Sequence, residues 1–192
     1  MRSLVQVLLI TVLAPAAAAF AQDNPPAAAI VAPPANPVSA QLKLMNKGTK
    51  LVLLGSAERM PEESYAFKPA ETVRSFGQII GHVADAQYLA CSGALGETNP
   101  RPKIEQTRTS KADLIVALKD AFAYCDKAYD GLTDASGVEI VKHTGRDMPR
   151  ATVLMGGTLH SVEHYGNLVT YLRMKGIVPP SSDPGFMKQM MK

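Results

Sequence analysis

Cysteine is scarce in this sequence, which has only Cys91 and Cys125 among its 192 residues. Their separation leaves no C-x-x-C pair, and this excludes both a redox dithiol and a haem-attachment motif of that type. In an oxidising compartment the two thiols are expected to pair if the fold brings them together. Otherwise they would be buried as free thiols, so the sequence alone leaves both states open.

The sequence also lacks an excess of charge of one sign. Its 20 Lys and Arg residues face 17 Asp and Glu residues, a formal net charge of +3, and the basic residues are scattered along the chain. Nucleic-acid binding usually requires a concentrated basic surface. We therefore expect no nucleic-acid partner.

Long apolar runs are missing everywhere except at the N-terminus. There Arg2 is followed by LVQVLLITVL and then by AAAAFAQ, which places an A-F-A site before Gln22. This pattern is typical of a secretory signal peptide over residues 1–21 and is too short for a membrane span. We therefore expect a periplasmic or secreted protein that is not inserted in a membrane once the signal is removed.

The rest of the chain divides into a tether, a helical domain and a tail. Residues 22–38 are rich in Pro and Ala, which favours an extended tether. Residues 39–182 carry four amphipathic helical patterns without convincing strand alternation, and residues 183–192 form the tail. The sequence therefore predicts an all-α protein built as a four-helix bundle. Its helices are expected at residues 39–57, from Ser75 to Gly96, from Ser110 to Gly131, and at residues 149–175.

The connection between the second and third helices is long for a hairpin, which permits a crossover. Cys91 lies 16 residues beyond Ser75, and Cys125 lies 15 residues beyond Ser110. In parallel helices the two sulfurs would therefore be level, whereas an antiparallel hairpin would separate them by about 20 Å. A disulfide between the two cysteines is therefore expected only if the connection crosses over and makes the helices parallel.

Two of the four histidines, His160 and His164, are spaced i, i+4 on the last helix, so their side chains share one face. Gly156 and Gly157 lie one turn earlier, and each disfavours a helix interior by roughly 1 kcal/mol relative to Ala. Either the close approach of another helix or space for a bound species would explain them.

A third histidine, His82, shares the apolar face of the second helix with Ile79, Ala86 and Leu89. A lone histidine in such a place is usually a core residue with its hydrogen bonds satisfied. Three inward imidazoles on two helices would instead leave several polar nitrogens unpaired, at roughly 1–3 kcal/mol each. A shared metal ion would satisfy all three, whereas the fourth histidine, His143, is expected to be exposed between helices.

Three neutral nitrogen ligands suit zinc best, with nickel, iron or copper as alternatives. Such a site keeps a coordination position open and can lower the pKa of water to about 7, which favours hydrolysis. Asp85 and Glu163 are candidate catalytic carboxylates that could orient an imidazole or accept a proton. Solvated surface charges are the alternative explanation for both.

Two segments resemble DinB-like proteins. SFGQIIGHVADAQYLACSGALG is similar to the second helix of that family, and HSVEHYGNLVTYLRMKGIVPPSS is similar to its last helix and tail. The resemblance covers roughly residues 39–182. It implies a four-helix bundle with non-standard connectivity, and a divalent metal, commonly zinc or nickel, on His82, His160 and His164.

The functions of DinB-like proteins are diverse, and some relatives are thiol-dependent transferases or isomerases; many also form homodimers. Small reduced thiols are scarce outside the cytoplasm, which disfavours that chemistry in an exported chain. We therefore expect a metalloenzyme of hydrolase type acting on an unidentified small molecule. A non-catalytic metal-binding or stress-response bundle, a thiol-dependent transferase and a metal-free interaction module are the alternatives.

Overall fold

The computed structural model describes residues 35–100 and 103–190. The predicted signal peptide and most of the predicted tether lie outside these residues. The described part contains seven α-helices, two single-turn 3-10 helices and one β-hairpin. In chain order the elements are α1 (Pro37–Arg59), α2 (Phe76–Leu95), α3 (Ile104–Thr107), α4 (Lys111–Asp130), α5 (Asp134–Gly137), β1 (Ile140–His143), β2 (Arg146–Pro149), α6 (Arg150–Met174) and α7 (Pro184–Met190), with the 3-10 turns at Glu62–Ser64 and Pro180–Ser182.

The four long helices α1, α2, α4 and α6 correspond to the four predicted helices, so the predicted all-α bundle is confirmed. Helix α2 begins after Ser75. The Ser75 side chain accepts a hydrogen bond from the Gln78 backbone amide, and the Gln78 side chain accepts one from the Ser75 backbone amide. This capping box satisfies amide groups that the first helical turn leaves unpaired. The helix ends at Gly96, which has φ 74°, a left-handed conformation suited to glycine.

Helices α2 and α4 run parallel. Near their N-terminal ends Leu114 of α4 packs against Gly77 and Gly81 of α2. Near their C-terminal ends Cys91 and Cys125 form a disulfide, with a Cα–Cα distance of 5.3 Å. The segment between the two helices is therefore a crossover, and the linked prediction of crossover and disulfide is confirmed.

Helices α2 and α6 are antiparallel neighbours. Arg150 at the start of α6 donates to the Ala94 carbonyl near the end of α2. At the opposite end the Tyr171 hydroxyl donates to the Arg74 carbonyl, just before α2, at 2.7 Å. This orientation brings the middle of α2 beside the middle of α6.

Helix α1 packs between α4 and α6 and is antiparallel to α4. Lys43 donates to the Asp130 carbonyl at 2.8 Å, while Lys111 donates to the Met60 carbonyl at 2.7 Å, so the ends of the two helices are reversed. Together the contacts give the order α1, α4, α2, α6 around the bundle, with α2 and α4 pointing one way and α1 and α6 the other.

Two buried apolar clusters fill the bundle. The larger holds both wholly buried phenylalanines, Phe76 and Phe122, with Leu118 and Leu168. The smaller surrounds the disulfide and includes Leu154. These clusters fix the spacing of the helices on either side of the histidine-bearing segments.

The connection before α6 contains a β-hairpin, which differs from the prediction of a segment without strands. Strands β1 and β2 pair antiparallel, with His143 opposite Arg146. The two turn residues have positive φ, 48° at Thr144 and 80° at Gly145, as a two-residue type I′ turn requires. Four-residue strands are too short for their alternation to stand out in the sequence, and β1 lies against α2.

The predicted tail forms helix α7 and packs on α1. Phe186 lies over Gly55, and Arg59 forms an ion pair with Asp183 at 2.7 Å. Helix α1 itself begins at Pro37, two residues before the predicted boundary of the bundle. Across the described residues, no helix combines the length and apolar character needed to cross a bilayer.

Removing the disulfide should destabilise the bundle without changing its connectivity. For a bridge spanning 34 residues, the Cys91→Ala, Cys125→Ala variant should lose about 3–4 kcal/mol, because its unfolded chain is less constrained. Chemical denaturation measures the loss. Reductant should destabilise the wild type to a similar degree and leave the variant unchanged, whereas a wild type insensitive to reductant would contradict the bond.

Candidate metal centre

His160 and His164 lie one helical turn apart on α6, with ring centroids 4.5 Å apart. His164 is buried, with 8% of its surface exposed, whereas His160 is half-buried. The predicted i, i+4 pair therefore shares one face, as its spacing requires.

His82 of α2 reaches the same point from the opposite helix. Its Nε2 lies 3.0 Å from Nε2 of His160, and its ring centroid lies 4.8 Å from that of His164. One ligating nitrogen from each of the three imidazoles falls within 4.8 Å of the others. The three predicted ligands therefore form a single cluster between α2 and α6.

The close contact of α2 and α6 depends on Gly157. A Cβ atom on Gly157 would lie 2.7 Å from the Cβ of Ala90, a distance that real Cβ atoms do not adopt. Only glycine lets the two backbones approach this closely. The predicted alternative of close helix approach is therefore correct for Gly157, one turn from His160.

Glu105, in the crossover, orients His82. Its Oε2 lies 3.0 Å from Nδ1 of His82, and its Oε1 accepts from the Arg74 guanidinium at 2.8 Å. Because a carboxylate accepts, Nδ1 of His82 donates to Glu105, and Nε2 is the ring nitrogen that faces the other two histidines. A histidine metal ligand is commonly held by a carboxylate in this way. Glu105 is not recognisable as a partner of His82 from the sequence, since no spacing relates the two residues.

Asp85 holds the crossover in place. Its two carboxylate oxygens accept hydrogen bonds from the backbone amides of Ile104 and Glu105, at 2.7 Å and 2.9 Å. Asp85 therefore binds the first turn of α3, where a negative charge is favourable. Its connection to the histidines runs through Glu105.

Glu163 lies at the edge of the cluster. Its Oε2 is 3.8 Å from Nδ1 of His160, beyond hydrogen-bond distance, and its side chain is 72% exposed. The carboxylate thus lies exposed beside the cluster without a hydrogen bond to His160.

The nitrogens of the cluster suit a cation. Both ring nitrogens of His164 are buried, and neither finds a hydrogen-bond partner among residues 35–100 and 103–190. Burial, followed by the neighbouring His160 and His82, lowers the pKa of His164 to about 4, and burial also lowers the pKa of His160. Neutral imidazoles are the form that binds metal, and tetrahedral zinc keeps its ligands roughly 3.3 Å apart. The residues therefore fit a divalent ion.

Two openings adjoin the cluster. A polar cleft of about 900 Å³ is lined by His164, Glu163, Glu105 and Arg74. On the other side, a cavity of about 590 Å³ has a mainly apolar lining that includes His82 and His160. A molecule can therefore approach the histidines from two directions.

His143 does not join the cluster but lines the apolar cavity. It lies on β1 with Nδ1 packed against Gly93, where a Cβ atom would be 2.5 Å away. This side chain is partly covered where the sequence predicted exposure, and that burial lowers its pKa. This placement depends on the hairpin folding back onto α2, which no local pattern in the sequence predicts.

The fold and the cluster together define a helical bundle with a three-histidine group compatible with metal binding. The family model of the DinB superfamily matches residues 50–168. That span covers more than half of the chain and includes all three histidines. The chain therefore belongs to the DinB superfamily, as the resemblance of its second and last helices implied.

Individual relatives agree with this assignment. The chain is 25% identical over 123 residues to the uncharacterized protein YjoA of Bacillus subtilis, covering 62% of this chain and 79% of that protein. The crystal structure of B. subtilis YjoA, a DinB-like protein, superposes with a TM-score of 0.58 at 26% identity and covers 71% of this chain and 92% of its own. A DinB-like protein from Bacillus cereus has a TM-score of 0.62 at 20% identity, covering 74% and 93%.

Replacing the two α6 histidines should abolish metal binding. The His160→Ala, His164→Ala variant leaves His82 as the sole member of the cluster, so it should retain little zinc after dialysis, against about one equivalent in the wild type. Elemental analysis measures the content. His143→Ala is the matched control and should bind as much metal as the wild type; equal content in all three proteins would refute the site.

Glu105→Gln should weaken metal binding without removing a ligand. An amide holds the Nδ1 proton of His82 less strongly than a carboxylate, so zinc affinity should fall about 10- to 100-fold. Competition with a chromogenic chelator measures the affinity. Glu71→Gln is the control, because Glu71 lines the same cleft but pairs with Lys68. An unchanged affinity for Glu105→Gln would exclude the orienting role.

Proposed function

We propose that this protein is an exported metalloenzyme that binds a divalent ion, preferably zinc, through His82, His160 and His164, and hydrolyses a small molecule. The observation that carries the proposal is the convergence of the three imidazoles, of which His164 is buried with both of its nitrogens unpaired among the described residues. Three protein ligands leave a coordination position free, as catalytic zinc sites do.

When bound, such an ion supplies Lewis acidity, which polarises a carbonyl or phosphoryl oxygen and lowers the pKa of water. The chain itself supplies orientation and proton transfer. Glu105 keeps the proton of His82 on Nδ1, so that Nε2 faces the cluster. Asp85 positions Glu105 through the two backbone amides that it binds.

We assign proton transfer to Glu163. Its carboxylate lies beside His160 at the polar cleft and is exposed, so it can take up the proton that an attacking water loses and release it to solvent. A carboxylate in this position contributes typically about 10²- to 10⁴-fold to a rate. Asp85 is less suited to this task, because both its oxygens already accept backbone hydrogen bonds.

Export is supported by the N-terminal sequence pattern and by the disulfide. Disulfides persist in oxidising compartments and are rare in cytosolic proteins. The bond between Cys91 and Cys125 is thus the state expected of a periplasmic or secreted protein. Such a location also disfavours chemistry that needs a reduced thiol as co-substrate.

Activity screening tests the hydrolase proposal. Zinc-loaded protein should cleave at least one class among carboxylic esters, amides and phosphoesters, and chelation should abolish this activity. Glu163→Gln should lower kcat by about 10²-fold or more while metal content stays at the wild-type level. Glu58→Gln is the control, since Glu58 pairs with Lys119 away from the histidines.

Two other outcomes would overturn the proposal. If the zinc-loaded wild type is no faster than the His160→Ala, His164→Ala variant on every substrate class, the ion has a non-catalytic role. If turnover appears only after a low-molecular-weight thiol is added, the protein is a thiol-dependent transferase. Metal content measured on the same samples separates both outcomes from simple loss of the ion.

A further inference from the structure

Gly156 is not explained by helix packing. Gly157 is needed for the approach of α2, but a Cβ atom on Gly156 would meet nothing within 4 Å among the described residues. A glycine in a helix interior still disfavours folding by roughly 1 kcal/mol relative to Ala. Gly156 lines the apolar cavity beside His160, so the missing side chain leaves space at that point.

The cavity wall is apolar on three sides. Helix α2 contributes Ala86, Leu89 and Ala90, helix α6 contributes Val153 with the two glycines, and the hairpin contributes Met148. Leu89 remains 44% exposed, although the apolar pattern of α2 predicted that it would be buried. When an apolar ligand covers an exposed apolar side chain at a cavity wall, apolar surface is removed from water, which favours binding.

Some of the polar side chains of this cavity lie at its boundary with the histidine cluster, and the other polar residues that line it are Asn99, Lys103, Gln106, His143 and Thr152. His82 and His160 form part of that boundary, and Asp85 beside them is occupied by backbone amides. The size, about 590 Å³, falls within the roughly 300–1,000 Å³ of small-molecule sites. A ligand seated here can place its apolar part against the apolar wall and its polar end at the imidazoles.

The cleft on the other side has a different chemistry. Its basic groups are paired with acidic ones, Arg74 with Glu105 at 2.8 Å and Lys68 with Glu71 at 2.8 Å. Exposed Glu163 adds a further negative charge. This cleft suits water and polar groups and offers little to an apolar chain.

We infer that the cavity bounded by Leu89, Met148 and Gly156 binds an apolar acyl or aryl group of the substrate and presents the adjoining polar bond to the histidine cluster. The inference rests on the proposed function for the reaction, while binding of the apolar group is a property of the cavity alone. Gly156 and Leu89 are then specificity-determining residues.

A pair of glycine substitutions on α6 tests this inference. Gly156→Leu places a side chain in the apolar cavity, and Gly166→Leu makes the same change beside the polar cleft, where a Cβ atom also meets nothing within 4 Å. The probe is N-phenyl-1-naphthylamine, an uncharged aromatic compound whose fluorescence rises in apolar surroundings. It is titrated into the full chain, with and without zinc.

The wild type and Gly166→Leu should bind the probe with affinities within about twofold of each other, and Gly156→Leu should bind it about tenfold or more weakly. Leu89→Gln changes a half-exposed side chain while preserving its size, and it should also weaken probe binding. This variant replaces Gly156→Leu as the test of the cavity if Gly156→Leu does not fold. Unchanged affinity in both cavity variants, or equal losses in both glycine variants, would overturn the inference.

Failure of the proposed function gives a different result. Protein treated with chelator should still bind the probe, because the cavity needs no ion. Probe binding without hydrolysis would therefore contradict the proposed enzymatic function and support the cavity as a binding site. If hydrolysis of p-nitrophenyl esters is found, kcat/KM should rise from acetate to octanoate in the wild type and not in Gly156→Leu. Esterase activity without a chain-length preference would support the proposed enzymatic function and contradict binding of the acyl group in the cavity.

Discussion

The close packing of α2 against α6 is the constraint on which the candidate site depends. These helices are antiparallel, and Ala90 of α2 meets Gly157 of α6 in a contact that leaves no room for a Cβ atom on the glycine. Because that contact lies near His160 on α6 and two turns from His82 on α2, it sets the distance between the imidazoles. A larger residue at either position would separate the helices and disperse the cluster. The site is therefore a property of a helix interface.

The crossover between α2 and α4 serves both the fold and the site. By returning along α2, it makes the two helices parallel and brings Cys91 level with Cys125. The same segment carries Glu105 to His82, held by the carboxylate of Asp85. An ordinary antiparallel hairpin would provide neither the disulfide nor this carboxylate. The long connection thus orients a candidate metal ligand as well as joining two helices.

Buried polar nitrogens and open apolar space are both unfavourable for an isolated bundle, and they occur side by side here. His164 has two buried nitrogens without a partner among the described residues, and Gly156 leaves space beside an apolar wall. A well-packed core would avoid both features. Departures from the rules of stable packing are expected where a protein binds something, and a cation and an apolar group would compensate for the two features separately.

The amino-acid sequence by itself determined the four long helices and the histidine pair, because both depend on local periodicity and capping. Ser75 with Gln78 marked the start of α2, and the i, i+4 spacing placed His160 and His164 on one face. Counting along the helices also linked the disulfide to the crossover, although it could not choose between crossover and hairpin. Only the tertiary structure decided that choice, the position of Glu105 beside His82, and the return of His143 over Gly93. These contacts join residues distant in sequence, and no local pattern encodes the direction in which a loop or a short hairpin folds back.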